Sequence, residues 1–307
     1  MKPGGPVNPR DNDTLGESKG EAMTRIFALF ILGLVGTAAA YAQPLEGRLK
    51  RIAETKSIAV AYRSDAMPFS FAGEKNVAEG FSIDLCKRVA ASIGRELNLP
   101  NLEIRWVPVS IQSRFDAVAQ GRADLECGSS TITLSRQKQV DFSNIIFVES
   151  TGLLVKAGSG VRGFSDLAGR RIAVVKGTTN EAAVGSALKR ANLNAAVLPF
   201  GSRDEALAAL EQGKADAFAS DKLLLMGALA SARSPGSLTL LPDQLSYEPY
   251  GIVLPRGDAA LRLAVNTALA QVYRSGDIID LFRRWFGALG PPSTVVEAAY
   301  LLGAIPE

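Results

Sequence analysis

From residue 45 onward, short apolar runs alternate with stretches whose apolar positions recur every three or four residues. Runs of the first kind predict strands and the second kind helices. A strand is expected over 57–62, then a loop punctuated by Pro68 and Gly73. A helix follows over 83–97, with Ile83, Leu85, Val89, Ala90 and Ile93 on one face. A strand over 102–109, a helix over 114–120 closed by Gly121, and a strand over 123–128 complete the block. The order then repeats: a strand at 171–175, a helix from the turn at Gly177 through Ala191, and a strand at 194–198. A helix at 204–212 closed by Gly213 and a strand at 215–219 follow. A third block, 259–286, reads as two helices split by Gly276, and the tail after Gly290 is expected to order only by docking.

Strand–helix–strand–helix–strand, met twice, is the pattern of an α/β protein with largely parallel sheets. The stretches near 149–154 and 247–254 read as strands rather than Gly/Ser-rich linkers. The expected architecture is therefore two α/β lobes joined by two hinge strands, a clamp with a cleft between its jaws. Residues 43–150 with 252–307 would form one lobe and 151–251 the other. Ligands of α/β sheets sit at the carboxyl ends of strands, so both lobes would offer strand ends to the cleft.

Ahead of this lies a polar stretch, 1–22, then Met23-Thr24-Arg25, an apolar run over 26–36, and Ala40-Tyr41-Ala42. A basic residue, a short apolar core and an A-x-A ending are the parts of a secretory signal peptide. Met23 is read as the start and cleavage is expected after Ala42. The apolar core is shorter than the ~20 residues of a spanning helix. The protein is thus expected in the periplasm, where disulfides persist. Its two cysteines, Cys86 and Cys127, could form one bridge or remain two buried thiols; the bridge is the expectation.

Apolar residues make up 47% and charged residues 21% of the 307-residue chain, which suits a folded core rather than disorder. A net charge of +3 without a basic, aromatic-interleaved stretch argues against nucleic-acid binding. There is no histidine. That excludes Ser-His-Asp triads, Cys-His dyads and HExxH zinc sites, and it predicts ligand binding indifferent to pH between about 5.5 and 8. No cofactor or metal is called for.

Three local patterns carry chemistry. Gly177-Thr178-Thr179-Asn180-Glu181 joins a strand to a helix with capping-box spacing, an arrangement that can receive a carboxylate but is more often simply a capped helix. Gly128-Ser129-Ser130-Thr131-Ile132-Thr133 followed by Arg136 supplies hydroxyls and a guanidinium fork suited to a carboxylate; the bland alternative pairs Arg136 with Asp141. Arg63, Arg114 and Arg203 fall where strands or loops should end at the cleft, although each alone reads as a surface residue. Asp221 could hold an ammonium group or merely cap the helix after it.

Ser130-Thr131-Ile132-Thr133-Leu134-Ser135-Arg136 with Val140-Asp141-Phe142-Ser143, and 164–174 leading into Gly177-Thr178-Thr179, resemble the signature of the family 3 extracellular solute-binding proteins. Within it, the chain is most similar to the periplasmic glutamate/aspartate-binding proteins of ABC importers. The matches are Tyr62-Arg63 with Pro68-Phe69-Ser70, Gln112-Ser113-Arg114, Glu126-Cys127-Gly128-Ser129 and Arg136-Gln137-Lys138-Gln139. The resemblance implies the two-lobed periplasmic binding protein fold of type II. It implies that Arg136, with Ser129, Thr131 and Thr179, clamps the α-carboxylate of L-glutamate or L-aspartate. Asp221 would hold the α-ammonium, and Arg63 and Arg114 would meet the side-chain carboxylate. Two positions depart: Ile111 stands where these relatives have serine, and Arg203 where they have histidine. The implied partner is the membrane permease of an ABC importer, and the implied state is a monomer.

Two other functions compete. Cyclohexadienyl dehydratases share the scaffold but need a general acid, for which only Glu126 and Glu149 offer themselves, with no visible perturber in sequence. A receptor's sensor domain would need a membrane span and a cytoplasmic domain after Phe286.

Overall fold

The computed structural model describes residues 45–306, so the expected leader at 1–42 lies outside the described residues. Helix α1 (Gly47–Thr55) buries Leu49 and Ile52 and leads into β1 (Ser57–Arg63), which is buried after its first residue. Strands β2 (Asp65–Ala66), β3 (Ser70–Ala72) and β4 (Ala78–Glu79) form a small antiparallel sheet where the sequence predicts a loop. Strands of two or three residues are too short to show a period. Then come α2 (Phe81–Glu96), β5 (Glu103–Val109), α3 (Arg114–Ala119), β6 (Leu125–Glu126) and the long β7 (Val140–Glu149). The chain crosses at Ser150 into β8 (Thr151–Lys156), β9 (Arg171–Val175), α4 (Thr179–Arg190), β10 (Ala196–Phe200), α5 (Arg203–Glu211), β11 (Ala217–Asp221), α6 (Lys222–Ser231) and β12 (Leu238–Leu240). It returns through β13 (Glu248–Pro255) and ends in α7 (Ala259–Ser275), α8 (Asp277–Phe286) and α9 (Thr294–Gly303).

The strands make two five-stranded sheets, β5-β1-β6-β13-β7 and β10-β9-β11-β8-β12. Each is the centre of one lobe. Neither sheet is wholly parallel. In each, one strand runs against the rest: β13 in the first, β8 in the second. Those are the two strands that bring the chain in from the other lobe. β7 and β13 stay paired up to the crossing, with Glu149 opposite Glu248. In the returning strand, pairing with β7 begins at Glu248.

The first lobe's core centres on Phe69, whose ring lies 5.0–6.1 Å from those of Phe81, Phe147, Tyr250 and Phe286. Truncating such a ring costs about 3–5 kcal/mol. The opposite face of that sheet packs Val109, Val118, Val140 and Val253. The second sheet is likewise covered on both faces. Gly276 ends α7 in the left-handed conformation, φ 82°. α9 was not expected from the sequence. Ser293 caps it, and Val296 and Tyr300 are buried, the latter 5.3 Å from the Tyr273 ring. Cys86 of α2 and Cys127 beyond β6 are joined by a disulfide, as predicted. Beside it Ser82 Oγ donates to the Gly128 carbonyl at 2.7 Å, so α2 is tied twice to the loop that opens the site.

Candidate functional site

One cavity between the lobes is lined by Arg63, Ile111, Arg114, Ser129, Thr131, Arg136, Thr178, Thr179, Asn180, Arg203 and Asp221. All eight residues singled out in the sequence as ligand contacts are there. The first lobe contributes the end of β1 (Arg63), the start of α3 (Arg114) and the loop after β6 (Ser129, Thr131, Arg136). The second contributes the N-termini of α4 (Thr179) and α5 (Arg203) and the end of β11 (Asp221).

Local hydrogen bonds fix most of these side chains. Arg136 Nη1 donates to the Thr131 carbonyl at 2.8 Å, and its backbone N–H donates to Thr133 Oγ1 at 3.1 Å. It does not pair with Asp141, which instead lies 3.7 Å from Arg262. Arg114 Nε donates to Ser130 Oγ at 3.0 Å, and Nη1 donates to the Ile111 carbonyl. The Phe115 ring carries both guanidinia, at 4.2 Å for Arg114 and 5.1 Å for Arg136. In α4 the expected cap forms: Thr178 Oγ1 accepts from the Glu181 N–H, and Glu181 returns to the Gly177 N–H at 2.8 Å. The next residue, Thr179, meets Thr131 at 3.3 Å, hydroxyl to hydroxyl, across the lobes. Asp221 precedes α6 without capping it; its carboxylate accepts from Asn180 Nδ2 at 2.8 Å. The Ser129 hydroxyl is buried with no partner.

Behind the lining sit carboxylates that sequence reasoning did not assign as ligand contacts. Glu248 accepts from Thr131 at 2.8 Å and from Ser246 at 2.6 Å. Asp65 pairs with Arg63 and, at 3.4 Å, with Arg203. Glu126 is wholly buried. Asp65 stands two residues after Arg63, and Glu126 was considered in the sequence only as a dehydratase's acid; Glu248 lies far away in sequence, and the fold alone brings it in. Four arginines against one aspartate therefore describes the groups facing the ligand space, and not the site as a whole.

Burial sets the proton equilibria. Burial and the adjacent Arg136 press Arg114 down to about 9, and burial and Arg203 press Arg63 down to about 10. Both stay charged at neutral pH. Burial, reinforced by Glu248, lifts Asp221 to about 6. Burial, reinforced by Asp221, lifts Glu149 to about 8. Burial raises Glu126 against the pull of Arg114. These shifts set desolvated carboxyls inside the pH window where the lack of histidine suggested no titrating group, and so argue against the expected pH indifference. Among the described residues no cluster of Cys, Asp and Glu could hold a metal ion, and no helix is long and apolar enough to cross a membrane.

Residues 58–288 match the family model of bacterial extracellular solute-binding proteins, family 3. The chain belongs to that family. Among the relatives of this solute-binding protein, an L-glutamate/L-aspartate-binding protein of Pseudomonas aeruginosa is 35% identical over 85% of this chain and 87% of its own length. A glutamate/aspartate import solute-binding protein of Escherichia coli is 30% identical over 89% and 90%. Among solved structures, a variant of the arginine-binding protein of T. maritima superposes with a TM-score of 0.68 at 27% identity, covering 78% of this chain and all of the other. An ancestral amino-acid-binding protein, a precursor of cyclohexadienyl dehydratase, reaches 0.67 at 28% identity with the same coverage.

Proposed function

We propose that this solute-binding protein captures an acidic amino acid, L-glutamate or L-aspartate, in the periplasm and delivers it to the permease of an ABC importer. The carrying observation is the cavity lining: four arginines and a single carboxylate, drawn from both lobes. A zwitterion with two carboxylates and one ammonium is its complement. Arg136, the hydroxyls of Ser129, Thr131 and Thr179, and the N-terminus of α4 take the α-carboxylate. Asp221 takes the ammonium. Arg63 and Arg114 take the side-chain carboxylate, and Arg203 adds a further cation. Ile111 adds an apolar wall. The names of the P. aeruginosa and E. coli relatives support the same ligand class.

Export follows from the signal-peptide pattern ending at Ala42. The protein acts as a monomer whose lobes, 43–150 with 252–307 and 151–251, close by hinge motion. It is not an enzyme. Of the carboxyls with raised affinity for protons, Glu126 and Glu149 do not line the cavity, and Asp221, which does, accepts from Asn180 and is assigned here to the ligand's ammonium. Calorimetric titration against a panel of amino acids tests the reading: glutamate or aspartate should bind far more tightly than glutamine, leucine or lysine. Turnover of prephenate or arogenate would replace it with the dehydratase.

A further inference from the structure

Arg63 ends a strand of the first lobe and Arg203 begins a helix of the second, yet their guanidinia meet at one carboxylate. Asp65 Oδ1 pairs with Arg63 Nη2, and Arg203 Nη1 donates to Asp65 Oδ2 at 3.4 Å. Both arginines line the cavity and are only 2% and 7% exposed. Asp65 does not line it, and its side chain is 27% exposed. The aspartate is held in place from its own lobe: β2 pairs with β3 at Asp65–Phe71, and Ser70 of β3 accepts the Arg63 N–H at 2.9 Å and donates to the Arg63 carbonyl at 3.1 Å. Nearby, Gln112 Nε2 donates to the Gly201 carbonyl at 3.0 Å, a further bond across the lobes.

Two buried guanidinia side by side repel, and Arg203 is among the causes that hold Arg63 low, second to burial. Burial alone would push Asp65 up; the charges of Arg63 and Arg203 outweigh it and keep its carboxyl below the ordinary range. The carboxylate is therefore a permanent negative charge fixed against two of the three cations that the ligand's side chain approaches.

We propose that Asp65 is a specificity-determining residue: its carboxylate, clasped between an arginine of each lobe, offsets the positive charge of the side-chain subsite and narrows the preference for an acid over its amide. The proposal rests on the acidic-ligand reading given above. Glutamate and glutamine are nearly isosteric and differ by one charge at the end that faces Arg63 and Arg203. The cost of closing the empty lobes enters both dissociation constants equally, so their ratio isolates the charge effect. A unit charge this close, partly screened by solvent, changes that ratio by about tenfold.

The test is calorimetric titration of wild type, Asp65→Asn, Arg203→Gln and the double variant with glutamate and with glutamine. Asp65→Asn should widen the glutamate-over-glutamine ratio about tenfold, Arg203→Gln should narrow it, and the double variant should return near wild type. Asp65→Ser gives the same reading should the asparagine variant not fold. A ratio within about twofold of wild type in the Asp65 variant, or a narrower one, overturns the proposal alone. Wild-type protein that binds neither glutamate nor aspartate overturns the ligand class, and the proposal with it.

Discussion

Replacing Glu149 with glutamine should change how the empty protein's stability depends on pH. Glu149 ends β7 at the crossing between lobes; its Oε2 accepts the Ser150 N–H at 3.0 Å, and it faces Glu248 across the strand pair. Burial first, then the Asp221 charge, raise its carboxyl from an ordinary 4.5 to about 8. A carboxyl raised on folding contributes stability that is fully present below its unfolded value and is lost as pH rises through the folded one. Ionising it against burial between pH ~5.5 and ~8.5 removes on the order of 3 kcal/mol, taking ~1.4 kcal/mol per tenfold change in proton affinity. Glutamine keeps the shape and the acceptor for Ser150 while removing the charge. The Glu149→Gln protein should match wild type near pH 5.5 and exceed it by about 2–3 kcal/mol near pH 8.5. Urea unfolding of ligand-free protein at several pH values measures this. Parallel profiles for the two proteins would refute the argument, because the stability lost with pH would then come from elsewhere.

Arg136→Ala should cost roughly 2–5 kcal/mol in binding of every amino-acid ligand, since it strips one partner from a buried charge pair; calorimetry showing glutamate binding within about threefold of wild type would contradict the assignment. Glutamate affinity should fall about tenfold from pH ~7 to ~5, because Asp221, at about 6 in the empty site, must give up its proton to face the ammonium, and Asp221→Asn should abolish that slope along with most of the affinity. Reducing the Cys86–Cys127 bridge should lower the urea midpoint by an amount worth about 2–4 kcal/mol while leaving the glutamate dissociation constant little changed, both cysteines being in the first lobe.

Periodicity made the main elements legible. The helix expected over 83–97 is α2, and the strand expected over 171–175 is β9, residue for residue. The small sheet β2–β4 and helix α9 were not legible. The former is too short to show alternation, and α9 is stabilised by burying Val296 and Tyr300 against α7 and β7, a tertiary effect invisible in a local window. The reversed strands β8 and β13 were hidden for a different reason. Direction depends on which lobe the chain arrives from, and an apolar run reads the same either way.

The site divides along the same line. The residues that face the ligand space sit at strand ends and helix starts, where a local motif marks them. Their counter-ions do not. Three buried guanidinia and a fourth half-buried one in a single cleft would be prohibitively desolvated and mutually repulsive unless carboxylates stood close by. Those carboxylates come from positions scattered along the chain: Asp65 at the edge of a two-residue strand, Glu126 in β6, Glu248 in β13. Only Asp221 reaches the cavity wall. Placing the negative charge behind the arginines makes the empty cleft tolerable to fold. The wall itself stays cationic, so an anionic side chain still finds a complementary field. On the acidic-ligand reading proposed above, the cations set the ligand class, and how closely each counter-ion approaches its arginine sets how sharply that class is enforced. For Arg63 and Arg203 that distance is governed by Asp65, which explains why a residue off the cavity wall can tune selectivity within it.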